Sequence, residues 1–378
     1  MRALMLVISN VAADIRVIRE ATTLAAAGHL VHIIGKDVPA EYIPPNGVTF
    51  SSVGKPSALC PAPGRVLPAH LRALRWVLLP QHRNATFRAW TKAARLDAAR
   101  REFDVVHAHD FTTLLLGSRL AAEHGAPLVY DSHEYWAGRP RVGRPTPVQT
   151  ARETRVEREL GAAAAAVLTV GEGVAEKLRE RHGWQYVTVV RNTFPLVMEG
   201  EPIGPPTAAV YAGRIAPYRE LETLVAAARR IPDLPVTIIG PADQTYLATF
   251  DPGPVRVLPP VPPADIGAVL RGAGLSLVTH SDRWENHRLA LPNKLFQAVA
   301  AGVPVVATDV GELRRIVRQH NLGTLYRPGN PGSLIAAIAE ARSRYAELTE
   351  SVHQAAPVLC WEHDAAALVG VYDKLVPG

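Results

Sequence analysis

Short runs of apolar and β-branched residues alternate with segments of helical periodicity along almost the whole chain. In the first half these runs predict strands near residues 3–8, 31–35, 104–109, 128–132, 166–170 and 187–191. Between the first two strands, apolar residues recur every three or four positions, which predicts a helix from Asp14 to Gly28. This alternation is typical of a parallel sheet that helices cover on both faces.

A Pro- and Gly-rich stretch without periodicity, residues 199–207, interrupts the pattern and is the predicted linker. After it the alternation resumes, with strands predicted near residues 209–212, 236–239, 255–258, 275–279, 303–307 and 323–326. The pattern therefore predicts an α/β fold of two doubly wound, Rossmann-like domains, residues 1–198 and 208–359, that face each other across a cleft. The last helix, about residues 360–378, is expected to pack back on the first domain.

The segment between the fourth and fifth strands of the second half has the features of an anion site. A helix is predicted from about Pro292 to just before Gly302, because proline suits a first helical position and glycine suits the residue past a helix end. The N–H groups of Asn293, Lys294 and Leu295 would then be free, with the helix dipole and the lysine charge behind them. The alternative is an ordinary capped helix between two strands.

Two arginines follow the first strand of the second half. Gly213 allows a tight turn there, and the guanidinium groups of Arg214 and Arg219 would match the oxygens of a diphosphate. The alternative is that they are surface arginines paired with Glu220 or Glu222.

Histidines and acids follow two neighbouring strands of the first half. His109 ends one strand, and His133 and Glu134 end the next, so these side chains are expected at one edge of the sheet, facing the cleft. His107 and His109 lie two residues apart and lack a second ligand pair of recognised spacing, so no metal site is predicted. His109 is interpreted as a residue that bonds to the substrate or handles its proton, and His107 as a buried structural histidine.

Composition adds limits to this picture. Of 378 residues, 48% are hydrophobic and 20% charged, which is ordinary for a soluble enzyme of two domains. We expect neither a signal peptide nor a membrane span, and two distant cysteines favour the cytoplasm. The dinucleotide-binding, P-loop and α/β-hydrolase glycine motifs do not occur, so no cofactor is predicted. No nucleic-acid partner is predicted either.

One basic segment, residues 65–101, contains nine Arg or Lys residues against a single acid, with aromatic residues interleaved. It predicts either peripheral contact with an anionic membrane or, as the plainer alternative, a pair of helices with an Arg-rich solvated face.

Several motifs in this order resemble the retaining glycosyltransferases of family 4, which have a two-domain B-type fold. They occupy residues 14–17, 28–29, 103–110, 131–134, 168–171, 190–193, 212–214, 291–296 and 300–306. The resemblance implies transfer of a sugar from a nucleotide diphosphate sugar, with retention at the anomeric carbon and without a bound metal. A UDP-sugar is expected rather than a GDP-sugar, and the acceptor is expected to be a small molecule or secondary metabolite.

The resemblance also assigns roles to residues. Arg214 and Arg219, the latter at a position where the family usually has lysine, would hold the diphosphate, and His109 would contact the donor sugar. The turn from Pro292 to Leu295 would bind phosphate. The acceptor side is expected to include Asn10, Asp14, His133 and Glu134.

Two positions depart from the family pattern. Its usual pair of acids would fall on Leu289 and Gln297; Gln297 can still bind a ribose hydroxyl, and Glu285, Asn286 and His287 are the candidates to replace the first carboxylate. Two alternative functions therefore stay open. One is a nucleotide-sugar hydrolase or epimerase, and the other is a non-catalytic nucleotide-sugar-binding homologue.

Overall fold

The computed structural model describes residues 1–54, 68–139, 147–196 and 204–375, apart from the side chains of residues 75–86. Within these ranges the strands of the first sheet are β1 (Arg2–Leu6), β2 (Leu30–Gly35), β3 (Val48–Ser52), β4 (Val105–His109), β5 (Leu128–Ser132), β6 (Ala166–Thr169) and β7 (Val187–Val189). Those of the second sheet are β8 (Ala208–Ala212), β9 (Val236–Ile239), β10 (Arg256–Leu258), β11 (Gly274–Val278), β12 (Val305–Thr308) and β13 (Gly323–Tyr326).

Helices connect the strands in both halves. In the first half they are α1 (Ile15–Ala26), α2 (Ala69–Ala98), α3 (Asp110–His124), α4 (Pro147–Ala162) and α5 (Glu172–His182). In the second half they are α6 (Leu221–Ala228), α7 (Gln244–Leu247), α8 (Ile266–Ala273), α9 (Glu285–Leu289), α10 (Asn293–Ala300), α11 (Gly311–Gln319), α12 (Pro331–Ser343), α13 (Tyr345–Ala355) and α14 (Trp361–Asp373).

Both sheets are parallel and doubly wound, which confirms the predicted fold class. The first has the strand order β3-β2-β1-β4-β5-β6-β7 and the second β10-β9-β8-β11-β12-β13. The strand order reverses between β1 and β4 in the first sheet and between β8 and β11 in the second. Ligands of such sheets bind beyond the carboxyl ends of the strands at these switch points.

The structure differs from the prediction in two elements. Strand β3 was not predicted, because its sequence Val-Thr-Phe-Ser-Ser is short and mostly polar and lies at an exposed edge of the sheet. The expected pair of helices in the basic segment is a single helix, α2, in the described part. Residues 65–67 of that segment lie outside the described residues, as do residues 199–203 of the predicted linker. The domain limits stay a prediction.

Helix α14 packs on the first sheet although it ends the described chain. Its Leu368 and Tyr372 are buried in one apolar cluster with Met5 and Ile33 of the first two strands. The Tyr372 hydroxyl lies 2.9 Å from Nδ1 of His107, so the chain returns to the domain in which it began.

Two side-chain hydrogen bonds attach α14 to the segment that follows β7. The hydroxyl of Thr193 donates to the carboxylate of Asp364 at 2.6 Å, and Nε of Arg191 donates to the same group at 3.0 Å. In the described part of the chain, no helix combines the length and apolar character needed to cross a membrane.

Candidate active site

A cavity of about 410 Å³ is lined by residues of both halves of the chain. Its first-domain wall lies at the carboxyl edge of the first sheet and consists of Ser9, Asn10, Ala13, Asp14, Ile15, Arg16, Arg19, His133 and Asn192. From the second domain, Asn293 at the start of α10 completes the wall. The cavity therefore lies in the cleft and brings together four of the predicted site residues, Asn10, Asp14, His133 and Asn293.

Two predicted cations of the second domain meet at Thr279, directly after β11. The Thr279 hydroxyl donates to the carbonyl of Arg219 at 2.5 Å, and its own carbonyl accepts from Nζ of Lys294 at 2.9 Å. The same ammonium group lies 4.2 Å from the centre of the Tyr211 ring, within the range of a cation–π contact. Arg219 and Lys294 are thus held together at the switch point of the second sheet.

The start of α10 differs in detail from the prediction. Pro292 has extended backbone angles and precedes the helix instead of forming its first residue. The expectation of a free N–H at Leu295 is wrong, because that group donates to the carbonyl of Pro292 at 2.9 Å and closes a tight first turn. Gly302 adopts the predicted left-handed conformation just past the helix, with φ of 70°.

The side chain of Lys294 is buried against the sheet, beside Thr279 and Tyr211. Burial, and then the nearby charge of Arg219, hold the pKa of Lys294 well below its usual range. The ammonium group is therefore destabilised when the site is empty, and a bound anion would favour its protonated form.

The turn that carries Arg214 is fixed by its neighbours. The Tyr211 hydroxyl donates to the carbonyl of Arg214 at 2.9 Å, and the guanidinium group is exposed. Gly240, with φ of 152°, packs so closely that a Cβ there would lie 2.1 Å from the carbonyl oxygen of Gly213. Only a glycine at position 240 leaves room for this turn.

The proposed pairing of these arginines with Glu220 or Glu222 is not formed. Glu220 accepts from the N–H of Gly329 at 2.6 Å, and Glu222 accepts from the hydroxyl of Tyr246 at 2.6 Å. Within the described ranges, neither Arg214 nor Arg219 lies within ion-pair distance of a carboxylate, and the same holds for Lys294. The carboxyl edge of the second sheet therefore carries positive charge without an internal counter-ion.

In the first domain, His109 and His133 share the carboxylate of Asp131. Nδ1 of His109 and Nε2 of His133 lie 3.1 and 2.9 Å from the same oxygen, so each ring donates an N–H to it. Nδ1 of His133 also lies 3.4 Å from Asp110. Burial alone would lower the pKa of His133, but the two carboxylates outweigh it and raise that pKa to about 9. His133 is therefore an imidazolium at neutral pH.

His109 itself is fully buried, and His133 forms the cavity wall. Nε2 of His109 has no hydrogen-bond partner in the described ranges. The contact between His109 and a donor sugar stays a prediction, which requires the ring to become accessible when the cleft is occupied.

The buried base of this network contains enough ligand atoms to raise the question of a metal. Glu20, His107, His109 and Asp131 place one such atom each within 4.8 Å of one another. Arg16, however, already donates to Asp131 at 2.7 Å and lies 3.0 Å from Glu20. A divalent cation would have to displace this guanidinium group, so the residues fit an internal ion-pair cluster better than a metal centre.

Contacts across the cleft involve α9, which contains the residues predicted to replace the missing carboxylate. Nδ2 of Asn286 donates to the Glu134 carboxylate at 2.9 Å, while Glu285 lies 3.5 Å from Nζ of Lys177. The predicted donor-side residue Asn286 and the predicted acceptor-side residue Glu134 are therefore direct partners. Burial, and then the charge of Asp110, raise the pKa of Glu134.

The positions that depart from the family pattern lie apart. Gln297 lines a separate cavity of about 200 Å³, together with Phe194, which follows β7 in the chain. Gln297 lies on the same face of α10 as Asn293. Leu289 instead packs against the first domain, where its side chain lies 3.3 Å from the point that a Cβ added to Gly173 would occupy. Position 289 therefore serves the contact between the domains.

Sequence reasoning gave no role to Arg16, Glu20 and Asp131. Arg16 and Glu20 lie on the same face of α1 as its buried apolar residues, one helical turn apart. Charged residues on an apolar helix face are the signal that could have revealed the buried cluster, since such charges need internal partners.

Comparison with known proteins agrees with the fold. Residues 14–193 match the family described as "Glycosyl transferase 4-like domain", and residues 206–343 match "Glycosyl transferases group 1". The D-inositol 3-phosphate glycosyltransferase 1 of Catenulispora acidiphila is 28% identical over 326 residues, which are 73% of each chain. The D-inositol 3-phosphate glycosyltransferase of Rhodococcus erythropolis is 29% identical over 43% of this chain, which spans only 40% of that relative.

Solved structures resemble the whole described architecture. Sucrose-phosphate synthase from Thermosynechococcus elongatus superimposes with a TM-score of 0.75 at 17% identity, over 99% of both chains. The Anabaena protein HepE in complex with UDP gives a TM-score of 0.69 at 16% identity, also over 99% of both chains. At this level of identity the likeness shows the fold.

Proposed function

The chain belongs to the glycosyltransferases of the B-type fold, family 4 type, and from this premise we propose which reaction it catalyses. It transfers a sugar from a UDP-sugar to a hydroxyl group of a small polar acceptor, with retention and without a metal ion. The donor binds the second domain, and the acceptor binds the cavity wall of the first.

The unpaired positive charge at the carboxyl edge of the second sheet carries the proposal. The charge of Arg219 lies near Lys294 beside the start of α10, and Arg214 follows β8 at the same edge of the sheet. The N–H groups of Asn293 and Lys294 have no partner among the described residues. A diphosphate supplies the missing negative charge and accepts hydrogen bonds from both kinds of donor. Positive side chains and amides would then stabilise the leaving diphosphate in place of a cation.

One face of α10 supports a direction for the nucleotide. Asn293 lines the cleft cavity, and Gln297, one turn further, lines the cavity that contains Phe194. A diphosphate at the helix start would place the ribose near the Gln297 amide. A HepE structure contains UDP-glucose, which supports a UDP-sugar as the donor class.

The proposed reaction is the retaining mechanism that the family resemblance implies. The acceptor hydroxyl attacks the anomeric carbon from the face that the diphosphate leaves, so one C–O bond forms as the other breaks on the same side. An oxygen of the leaving phosphate takes the hydroxyl proton. Holding both substrates in the closed cleft and neutralising the diphosphate supply most of the rate.

A second candidate is a homologue that binds the UDP-sugar without turnover. It is favoured by one observation, the absence of a carboxylate at both Leu289 and Gln297, where the family usually has its acids. Binding of UDP without product formation across a wide acceptor set would support this candidate.

The proposed function is tested by UDP binding and by product stereochemistry. We expect calorimetry to show that Arg219→Gln weakens UDP binding at least tenfold, whereas Arg229→Gln, an exposed arginine paired with Asp251, leaves it unchanged. Nuclear magnetic resonance of the product should show the anomeric configuration of the donor. A product of inverted configuration would refute the retaining mechanism, and equal effects of the two variants would refute the diphosphate site.

A further inference from the structure

Arg19 of α1 lines the cleft cavity on its first-domain wall, and Asn293 lines the same cavity from the second domain. The guanidinium group of Arg19 is held in place by the carbonyl of Thr193, to which it donates, and by two aromatic rings. Its central carbon lies 4.6 Å from the centre of the Phe194 ring and 5.3 Å from that of Trp361. The guanidinium is therefore fixed before any ligand arrives.

The other cations of the same wall are neutralised internally. Arg16 lies 2.7 Å from Asp131 and 3.0 Å from Glu20, and His133 lies 2.9 Å from Asp131. Arg19, by contrast, has no carboxylate within ion-pair distance in the described ranges; Glu20 and Glu362 attract it only from further away. It supplies the uncompensated positive charge of this wall.

Holding a half-buried guanidinium without a counter-ion costs free energy that an anion in the cavity would recover. Burial, and then the charge of Arg16, lower the pKa of Arg19 to about 10, so the group is still charged at neutral pH. The arginine is thus an anion-binding group in the empty cleft.

The neighbouring side chains suit a polyhydroxylated ligand. The amide oxygen of Asn10 accepts from the N–H of Ala12 at 3.0 Å, and that of Asn192 accepts from Arg16 at 3.1 Å. Within the described residues, the NH₂ groups of both amides have no acceptor and so are available to hydroxyl or anionic oxygens of a ligand.

We propose that Arg19 is an acceptor subsite of this glycosyltransferase, which binds a phosphate or carboxylate group carried by a polyhydroxylated acceptor. Asn10 and Asn192 bind further oxygens of the same molecule, so that one of its hydroxyl groups is directed towards the donor. The inference rests on the proposed function and adds the chemical class of the acceptor to it.

The experiment measures binding of matched probes to the full chain in saturating UDP. The probes are glucose 6-phosphate and glucuronate against glucose, and inositol monophosphate against inositol. The wild type should bind at least one anionic probe at least tenfold more tightly than its neutral parent, and the preferred anion identifies phosphate or carboxylate. Arg19→Gln should weaken that binding by about ten- to a hundredfold and abolish the preference over the neutral parent.

Two further variants complete the design. Arg19→Lys keeps the charge without the planar guanidinium group and should retain part of the preference for the anionic probe. If Arg19→Gln does not fold, Arg19→Lys still tests whether Arg19 binds the anion. Arg155→Gln, an exposed arginine of α4 paired with Glu159, should behave as the wild type. The inference is overturned if no anionic probe is preferred, or if Arg19→Gln weakens UDP binding as much as probe binding. In the first case, UDP binding that still depends on Arg219 would leave the proposed function intact.

Discussion

Asn286 of the second domain donates its side-chain N–H to the carboxylate of Glu134 in the first domain at 2.9 Å, so one hydrogen bond joins the two walls of the cleft. We expect Asn286→Asp to place two carboxylates in contact at a largely buried site. The repulsion should destabilise the contact between the two walls of the cleft by about 1–3 kcal/mol and lower kcat/KM by roughly tenfold or more. Steady-state kinetics with a UDP-sugar would measure it.

The matched control for this prediction is the double variant Asn286→Asp with Glu134→Gln, which restores one donor and one acceptor with the roles exchanged. It should recover most of the loss caused by Asn286→Asp. If the loss of kcat/KM in the double variant equals the sum of the losses in the two single variants, the contact does not join the domains during turnover.

Gly240→Ala should move the turn that carries Arg214. The new Cβ would lie 2.1 Å from the carbonyl oxygen of Gly213, and the backbone at position 240 has a φ of 152°, which an L side chain rarely adopts. We expect a loss of stability of more than about 2 kcal/mol and weaker UDP binding, measured by thermal melting and calorimetry. Gly370→Ala in α14, where a Cβ meets no atom within 4 Å, should leave both unchanged or raise the melting temperature slightly. Unchanged UDP affinity in Gly240→Ala would contradict the coupling.

Lys294 should couple UDP binding to proton uptake. Burial and Arg219 hold its pKa well below the usual range, so the empty site carries fewer protons at this position than a free lysine would. A diphosphate adds negative charge and raises that pKa, and protons are therefore taken up at pH values between the pKa of the empty site and that of the occupied site. Calorimetry in buffers of different ionisation enthalpy measures the uptake. Lys294→Met should remove it, and Lys92→Met, an exposed lysine of α2, should not; buffer-independent heats in the wild type would disprove the coupling.

His133 should make the stability of the protein depend on pH in the alkaline range. Its pKa is about 9 in the folded chain against an ordinary 6.5, so its stabilising contribution is complete below 6.5 and is lost as the pH rises through 9. At roughly 1.4 kcal/mol per pKa unit, the contribution is at most about 3.5 kcal/mol. The difference in melting temperature between wild type and His133→Gln should be largest near pH 6 and shrink towards pH 10. The exposed His70→Gln should show no such trend, and a constant difference for His133→Gln would count against the imidazolium.

Activity should survive removal of divalent cations. The diphosphate is proposed to rest on Arg219, Lys294 and the amides of α10, and Arg16 occupies the buried cluster that could otherwise hold a metal. Turnover after treatment with EDTA should equal that of the untreated enzyme to within twofold, and added Mg²⁺ or Mn²⁺ should not change it. A loss that Mn²⁺ restores would show that a cation takes part.

The sequence was sufficient for the architecture because the signals involved are local. Strands β8 to β13 are apolar runs between helices of clear periodicity, and Gly302 ends α10 as its position predicted. Strand β3 lacks that signal, since an exposed edge strand gains little from apolar residues and is held mainly by its backbone pairing with β2.

The candidate site was predictable in its position but not in its contacts. That Arg219 and Asn293 lie at the switch-point edge follows from chain order in a doubly wound sheet. The burial of Lys294 under Tyr211 depends on packing between distant segments, as does the sharing of Asp131 by His109 and His133. Such partners are chosen by three-dimensional neighbours that no spacing along the chain encodes.

Helix α14 has a consequence for any attempt to divide this enzyme. Its Leu368 and Tyr372 complete the apolar layer over β1 and β2, and Tyr372 supplies the hydroxyl beside His107. A fragment cut between the two sheets would expose that layer, so we expect the amino-terminal half to lose stability without α14. Co-expression with a peptide spanning α14 should then restore more of its solubility than co-expression with the second domain's sheet.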